Sequence, residues 1–281
     1  MAGTNGNGNG NARGGDSGRT PLLLLHGFTG TPLMWEPVLP YLELHHDVYA
    51  PHLPGHYLGP ELGDPGANIA DTLTDRLEEI MDERGWDRAH IVGNSLGGWA
   101  ALLLAERKRA LTTVALSPGG GWEMDSWAHK RIIKYFKQNQ TQIVALEPLA
   151  YELCARPRTR KVLMRDPVAY PERLPGALAK QWVRAAARCP SWKTLLEYAP
   201  KVNAPKTMDG LEGPVRVAWA EKDRILPYEG YSEAWRAVLP DADWITIPDV
   251  GHVPMSDNPS LVAQTILEVT TAPQSEVVEP D

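Results

Sequence analysis

Cysteine and phenylalanine are both scarce in this 281-residue chain, at two residues each. Cys154 and Cys189 stand far apart, with no C-x-x-C partner and no metal-ligand spacing. Neither a disulfide-stapled scaffold nor a cysteine-based metal site is expected. The start lacks the apolar segment of a secretory signal, which makes reduced thiols in a cytoplasmic protein the expectation. Long hydrophobic runs are missing too. The most apolar stretch, Leu22 to Leu25, has the length of a strand rather than a bilayer span. Positive charge is outnumbered: 28 Lys plus Arg face 35 Asp plus Glu, a formal net charge of -7, so nucleic acid is not an expected partner. Internal repeats are not evident, and nothing calls for a cofactor or a metal. Hydrophobic content of 43% and charged content of 22% are globular values, and tryptophan is abundant at 10 residues.

The length allows one large α/β domain or two ordinary ones. Residues 1–19 are rich in Gly and Asn and read as a disordered tail, as do residues 273–281 at the other end. Between the tails, short apolar runs alternate with helical patterns. Expected strands are Pro21–Leu25, Asp47–Pro51, Ala89–Val92, Thr112–Leu116, Val215–Trp219 and Asp243–Ile247. Expected helices include Asn68–Arg84, Gly97–Arg107, Glu229–Val238 and Pro259–Val269. This alternation implies a mostly parallel central sheet with helices on both faces, an α/β fold built from residues 20–118 and 209–272. Residues 119–208 break the rhythm. They hold helical pieces (Trp127–Gln138, Leu178–Arg188, Trp192–Tyr198) and many prolines, and read as a helical cap inserted between two strands. Residues 120–208 carry 16 Lys plus Arg and 7 Asp plus Glu, a balance of +9, which leaves -16 for the remainder. A basic cap over an acidic body is expected to draw anionic substrates; the alternative is that these charges lie on solvated helix faces.

Gly93-Asn94-Ser95-Leu96-Gly97-Gly98 carries the most information. It follows the apolar run Ala89–Val92 and opens a helical pattern, the strand–turn–helix order of a G-x-S-x-G nucleophile elbow. Such a turn forces Ser95 into positive φ and brings its second neighbours together, so Gly93 and Gly97 must be small. It also presents Oγ beside the free N–H groups of a helix start, where negative charge is stabilised. The competing reading is a small-residue turn before a core helix.

A serine hydroxyl needs a general base, and the base needs a partner that fixes its tautomer. In a parallel sheet both should follow the C-terminal ends of strands. His252 meets this condition: it stands after the last expected strand, beside Gly251, which gives the loop freedom to project the ring. His90, His45 and His46 precede or enter strands, and His129 is in the insert. Asp223 follows the strand ending at Trp219; Asp249 is better suited to a turn. The oxyanion donors are then the backbone N–H of Leu96 and, from the loop after the first strand, of Phe28. His26 fits a structural role in that loop. Trp122, Trp127 and Val253 are candidate substrate contacts, Trp182 and Trp192 further aromatics of the insert.

On these residues the chain resembles the α/β-hydrolase superfamily, in its lid-bearing serine esterase and carbon–carbon hydrolase-like branch. The elbow, the His26-Gly27 loop, the Asp223 loop and the Gly251-His252 turn match it in order and spacing over about residues 20–270. Leu53-Pro54-Gly55-His56 resembles a further family loop, with His52 where an Asp is usual and Tyr57 where a Gly is usual, which implies altered loop packing. The antiparallel edge strands common in the family are not expected here. The resemblance implies a serine hydrolase that cleaves a small to medium carboxylic ester through an acyl-enzyme on Ser95. Relatives that open epoxides or displace halide use an Asp nucleophile, which Ser95 argues against. Asn94 resembles the carbon–carbon hydrolases of anionic vinylogous diketones, although Val253 stands where they carry an aromatic residue. A non-catalytic small-molecule receptor is the third reading.

Overall fold

The structure is a computed structural model and describes residues 18–66, 68–198 and 207–272. Apart from Gly18, Arg19 and residues 271–272, the two expected tails lie outside it. Six strands form one sheet: β1 (Thr20–Leu25), β2 (His46–Tyr49), β3 (Ala89–Asn94), β4 (Ala110–Leu116), β5 (Val215–Ala220) and β6 (Asp243–Ile247). Their order is β2-β1-β3-β4-β5-β6 and every pairing is parallel. Among the described residues there is no antiparallel strand. Each strand lies within a few residues of its expected position.

The helices of the body are the short α1 (Leu39–Leu42), then α2 (Ile69–Glu83) and α3 (Leu96–Glu106). Between β4 and β5 come α4 (Trp127–Leu153), α5 (Pro157–Leu163), α6 (Gly176–Ala187) and α7 (Trp192–Tyr198). After β5 follow α8 (Tyr228–Tyr231), α9 (Glu233–Val238) and α10 (Pro259–Thr270). The pleat sends alternate residues of β1 to opposite faces. Leu23 and Leu25 join Ile91 in one core with residues of α2 and α3, while Leu22 and Leu24 join Val92 in another with residues of α10. A strand buried on both faces has to be apolar throughout, which is why β1 reads as an unbroken leucine run.

Two expectations of helix extent are corrected. The first insert helix runs on to Leu153 rather than ending at Gln138, and α5 was not anticipated. The segment expected as one helix, Glu229–Val238, is interrupted where Gly230 takes φ 87°. The insert thus comprises four helices, with residues 199–206 outside the described residues. Its two cysteines are free and buried, and burial pushes the thiols up, Cys154 to about 11 and Cys189 to about 12. Neither is a reactive thiolate near neutrality.

Candidate active site

Ser95 ends β3 and starts α3 with φ 59° and ψ -117°, the positive φ expected of the elbow. Its hydroxyl makes no capping bond to the helix. The backbone is held by Ser95 N–H donating to Leu116 O at 2.9 Å and by Gly119 N–H donating to Ser95 O at 2.9 Å. The glycines are sterically required. A Cβ on Gly93 would sit 1.9 Å from Gly97 O, and one on Gly97 would sit 2.2 Å from Leu25 O. No side chain fits either place, so the strained serine is bracketed by backbone on both sides.

The C-terminal ends of β1, β3, β5 and β6 deliver the other groups. Asp223 follows β5 and is buried. Its Oδ1 accepts from Ile225 N–H at 2.9 Å and Leu226 N–H at 2.7 Å. Its Oδ2 accepts from His252 Nδ1 at 2.7 Å. Three donors satisfy a carboxylate that is otherwise costly to bury. Because the carboxylate can only accept, Nδ1 carries the proton and Nε2 is left as the acceptor. His252 and Ser95 line the same cavity. No hydrogen bond joins Ser95 Oγ to the ring; such contacts commonly tighten only when substrate is bound. Asp249 is the turn residue expected, with φ 62°, and it is paired with Lys222 rather than with the imidazole.

Three residues that hold these groups were not assigned this work by sequence reasoning. Asn94, next to the serine, donates from Nδ2 to His252 O at 2.8 Å and to Leu116 O at 3.2 Å, so one carboxamide ties β3, β4 and the histidine loop together. Asp257 accepts from Gly251 N–H at 2.8 Å, and also from Ala169 N–H at 2.8 Å and Tyr170 N–H at 2.9 Å in the insert. Val253 N–H donates to Pro167 O at 2.7 Å alongside. Arg131 of α4 donates to Ile225 O and Arg224 O, each at 2.8 Å, and so pins the insert to the loop of Asp223. Each of these roles is played against a backbone atom, most of them distant in sequence, and no spacing signals it. Gly251 also has a different reason from the one expected. A Cβ there would sit 2.6 Å from Ala169 N, so it is small because the insert's backbone lies against it.

The loop after β1 approaches the serine closely. A Cβ on Gly27 would lie 3.2 Å from Ser95 Cβ. His26 is structural, as expected: Nε2 accepts from Leu53 N–H at 3.1 Å, which leaves Nδ1 to donate to Gly27 O at 2.9 Å. Burial and the neighbouring His56 ring hold it well below the ordinary histidine range. His56 is buried against it, with ring centroids 5.1 Å apart. Among the described residues no cluster could hold a metal ion.

Two cavities meet at Ser95, Phe28 and Phe136. The smaller, about 80 Å³, is walled by apolar side chains including Leu96, Trp99, Trp122, Ile132, Ile133 and Leu226. The larger, about 470 Å³, is lined by His252, Val253, Asn94, Tyr135, Trp182 and Arg165 among others. Trp122 lines the smaller cavity and Val253 the larger. Trp127 lines neither; it is 60% exposed and packs edge-on against Tyr231. The positive charge of the insert is largely absent from the cavity walls. Arg165 is the one cation among the described residues lining either cavity, and its Nε donates to Asp166 Oδ1 at 3.1 Å.

Residues 22–265 match the alpha/beta hydrolase family. The chain belongs to that family. Among curated relatives, it is 31% identical over 195 residues to the epoxide hydrolase EphH of Mycobacterium tuberculosis, an alignment spanning 69% of this chain and 91% of EphH. It is 27% identical over 277 residues to the pimeloyl-[acyl-carrier protein] methyl ester esterase of Aromatoleum aromaticum, spanning 89% of this chain and 98% of the esterase. Among solved structures, the 2-hydroxy-6-oxo-6-phenylhexa-2,4-dienoate hydrolase of Rhodococcus sp. strain RHA1 superposes with a TM-score of 0.68 at 21% identity, over 92% of each chain. This alpha/beta hydrolase thus shares its fold with a carbon–carbon hydrolase and has sequence relatives named for epoxide and ester hydrolysis.

Proposed function

We propose that this alpha/beta hydrolase cleaves neutral carboxylic esters with a short acyl chain, using Ser95 as nucleophile, His252 as base and Asp223 as its orienting partner. The observation that carries this reading is the buried Asp223–His252 pair opening onto the same cavity wall as the strained serine. Ser95 Oγ attacks the acyl carbon while Nε2 of His252 takes its proton. The oxyanion is held by the N–H groups of Leu96 and Phe28. His252 then returns the proton to the leaving alcohol, and water activated by the same nitrogen releases the acid.

Proton return places the substrate. His252 lines the larger cavity alone, so the leaving alcohol belongs there. The acyl chain is left with the small apolar chamber, whose 80 Å³ is space for roughly five to eight water-sized groups. A neutral substrate is favoured because the single lining cation is already paired with Asp166, which also weighs against an anionic diketone. Epoxide opening is disfavoured by chemistry. A serine oxygen that attacks an epoxide forms an ether, which water does not release, whereas a carboxylate nucleophile forms a hydrolysable ester.

The test is a panel of esters graded in acyl length, run beside an aryl epoxide and a ring-cleavage dienoate. Turnover of short-chain esters, with a fluorophosphonate adduct mapping to Ser95, is the expected result. Preference for the dienoate or the epoxide by orders of magnitude would overturn the reading, and so would a labelled residue other than Ser95.

A further inference from the structure

Apart from Arg165, the exposed cations around α5 line neither cavity, and their placement indicates a different partner. Helix α5 and its flanks carry Arg156, Arg158, Lys161 and Arg165, all exposed, with no acidic residue from Leu153 to Met164. Arg156, Arg158 and Lys161 have no ion-pair partner among the described residues. Of the acids in the insert, Glu147 pairs with Arg188, Glu152 with Lys180 and Asp166 with Arg165. The fifth cation of the stretch, Arg160, is buried and donates to the carbonyls of Cys154, Ala155, Pro171 and Glu172.

Interleaved with these charges are large apolar side chains that nothing covers. Val162 is 69% exposed and Leu163 42% on α5, and Leu146 is 52% and Leu149 57% exposed on α4. Leu146, Val162 and Leu163 also line the larger cavity, so this apolar rim stands at its mouth. Exposed apolar clusters of this kind mark interaction sites. A bound anion inside the cavity would leave these outward cations idle. A protein partner of unspecified charge would not account for a rim that combines free cations, free apolar groups and the entrance to the site. A surface that is itself anionic outside and apolar beneath accounts for all three.

We propose that the α4–α5 rim docks on an anionic lipid bilayer, with Arg156, Arg158 and Lys161 at the headgroups and Leu149, Val162 and Leu163 dipping below them, so that the mouth of the larger cavity faces the membrane. This concerns where the protein sits and does not depend on the chemistry assigned to Ser95.

Flotation of the full chain with vesicles tests it. Wild type is expected to float with vesicles of mixed phosphatidylcholine and phosphatidylglycerol at low salt, to be released at high salt, and not to float with phosphatidylcholine alone. The double variant R158E/K161E is expected to lose at least tenfold in partitioning, since each cation near an anionic surface is worth roughly fivefold. L149D should weaken binding on the same vesicles. Neither variant alters a residue that lines a cavity, so hydrolysis of a water-soluble short ester should stay at the wild-type level and reports that the fold is intact. Failure of wild type to float on the anionic vesicles overturns the proposal. It is equally overturned if both variants float like wild type, or if sedimentation shows a dimer that L149D dissociates, which would assign the rim to a second copy of the chain.

Discussion

Ser95 holds its hydroxyl on a backbone that non-glycine residues seldom adopt, and the surrounding groups leave it no alternative. Replacing it with alanine leaves the elbow intact and removes the nucleophile. Ester turnover measured on S95A is expected to fall by about 10⁴-fold or more while the far-ultraviolet spectrum is unchanged. Asn94 acts one step away. Asn94→Ala strips donors from two buried carbonyls, His252 O and Leu116 O. A shifted histidine should lower kcat by about tenfold to a hundredfold with a much smaller change in KM, and should displace the acid limb of the pH–rate profile. An unchanged profile would show that the histidine loop holds itself. The placement of Ser95 at a strand–helix turn and of Asp223 and His252 after strand ends was legible in the sequence, because turn glycines and apolar runs mark those places. Asn94, Asp257 and Arg131 were not, because each bonds to a main-chain atom that any residue would supply.

At the scale of elements, the strands were the most legible part. A strand covered on both faces is a short apolar run, as in β1, and even the half-buried edge strands β2 and β6 were placed within a few residues. Helix α4 was the least legible. Its apolar spacing lapses through Gln138-Asn139-Gln140-Thr141-Gln142, where the side chains are polar even though Gln140 is buried. Gln140 donates to Ala186 O, and Asn139 and Gln142 border the larger cavity. The helix continues even through Pro148, which lacks the amide needed for an interior turn. The same helix walls the smaller cavity, the proposed acyl chamber, through Ile132 and Ile133. Ile133→Ala is expected to move the optimum of kcat/KM towards longer acyl chains. A panel in which the optimum stays put would place the acyl chain in the other cavity.

Across the whole molecule, several histidines are buried without a counter-ion. Burial pushes His56 and His90 down to about 4 from their ordinary 6.5, and lowers His26, His46 and His52 as well. Above about pH 6.5 both folded and unfolded chains hold these rings neutral, so they cost the fold nothing. Below it the unfolded chain takes up protons that the fold refuses, and stability drops at least until the folded His56 and His90 titrate near pH 4. Thermal melts should therefore show Tm falling across this window; a Tm that stays level from pH 6.5 to 4 would contradict the burial of these rings as neutral species.

Asp257 has a practical consequence for anyone who would enlarge the entrance. The carboxylate that clamps residues 169 and 170 also clamps the amide just before the base, so the hatch and the trigger share one rivet. Prising the first open at this point would unseat the second. Wider access has to be engineered elsewhere, on α5, away from both Asp257 and the Arg131 tie of α4 to the Asp223 loop.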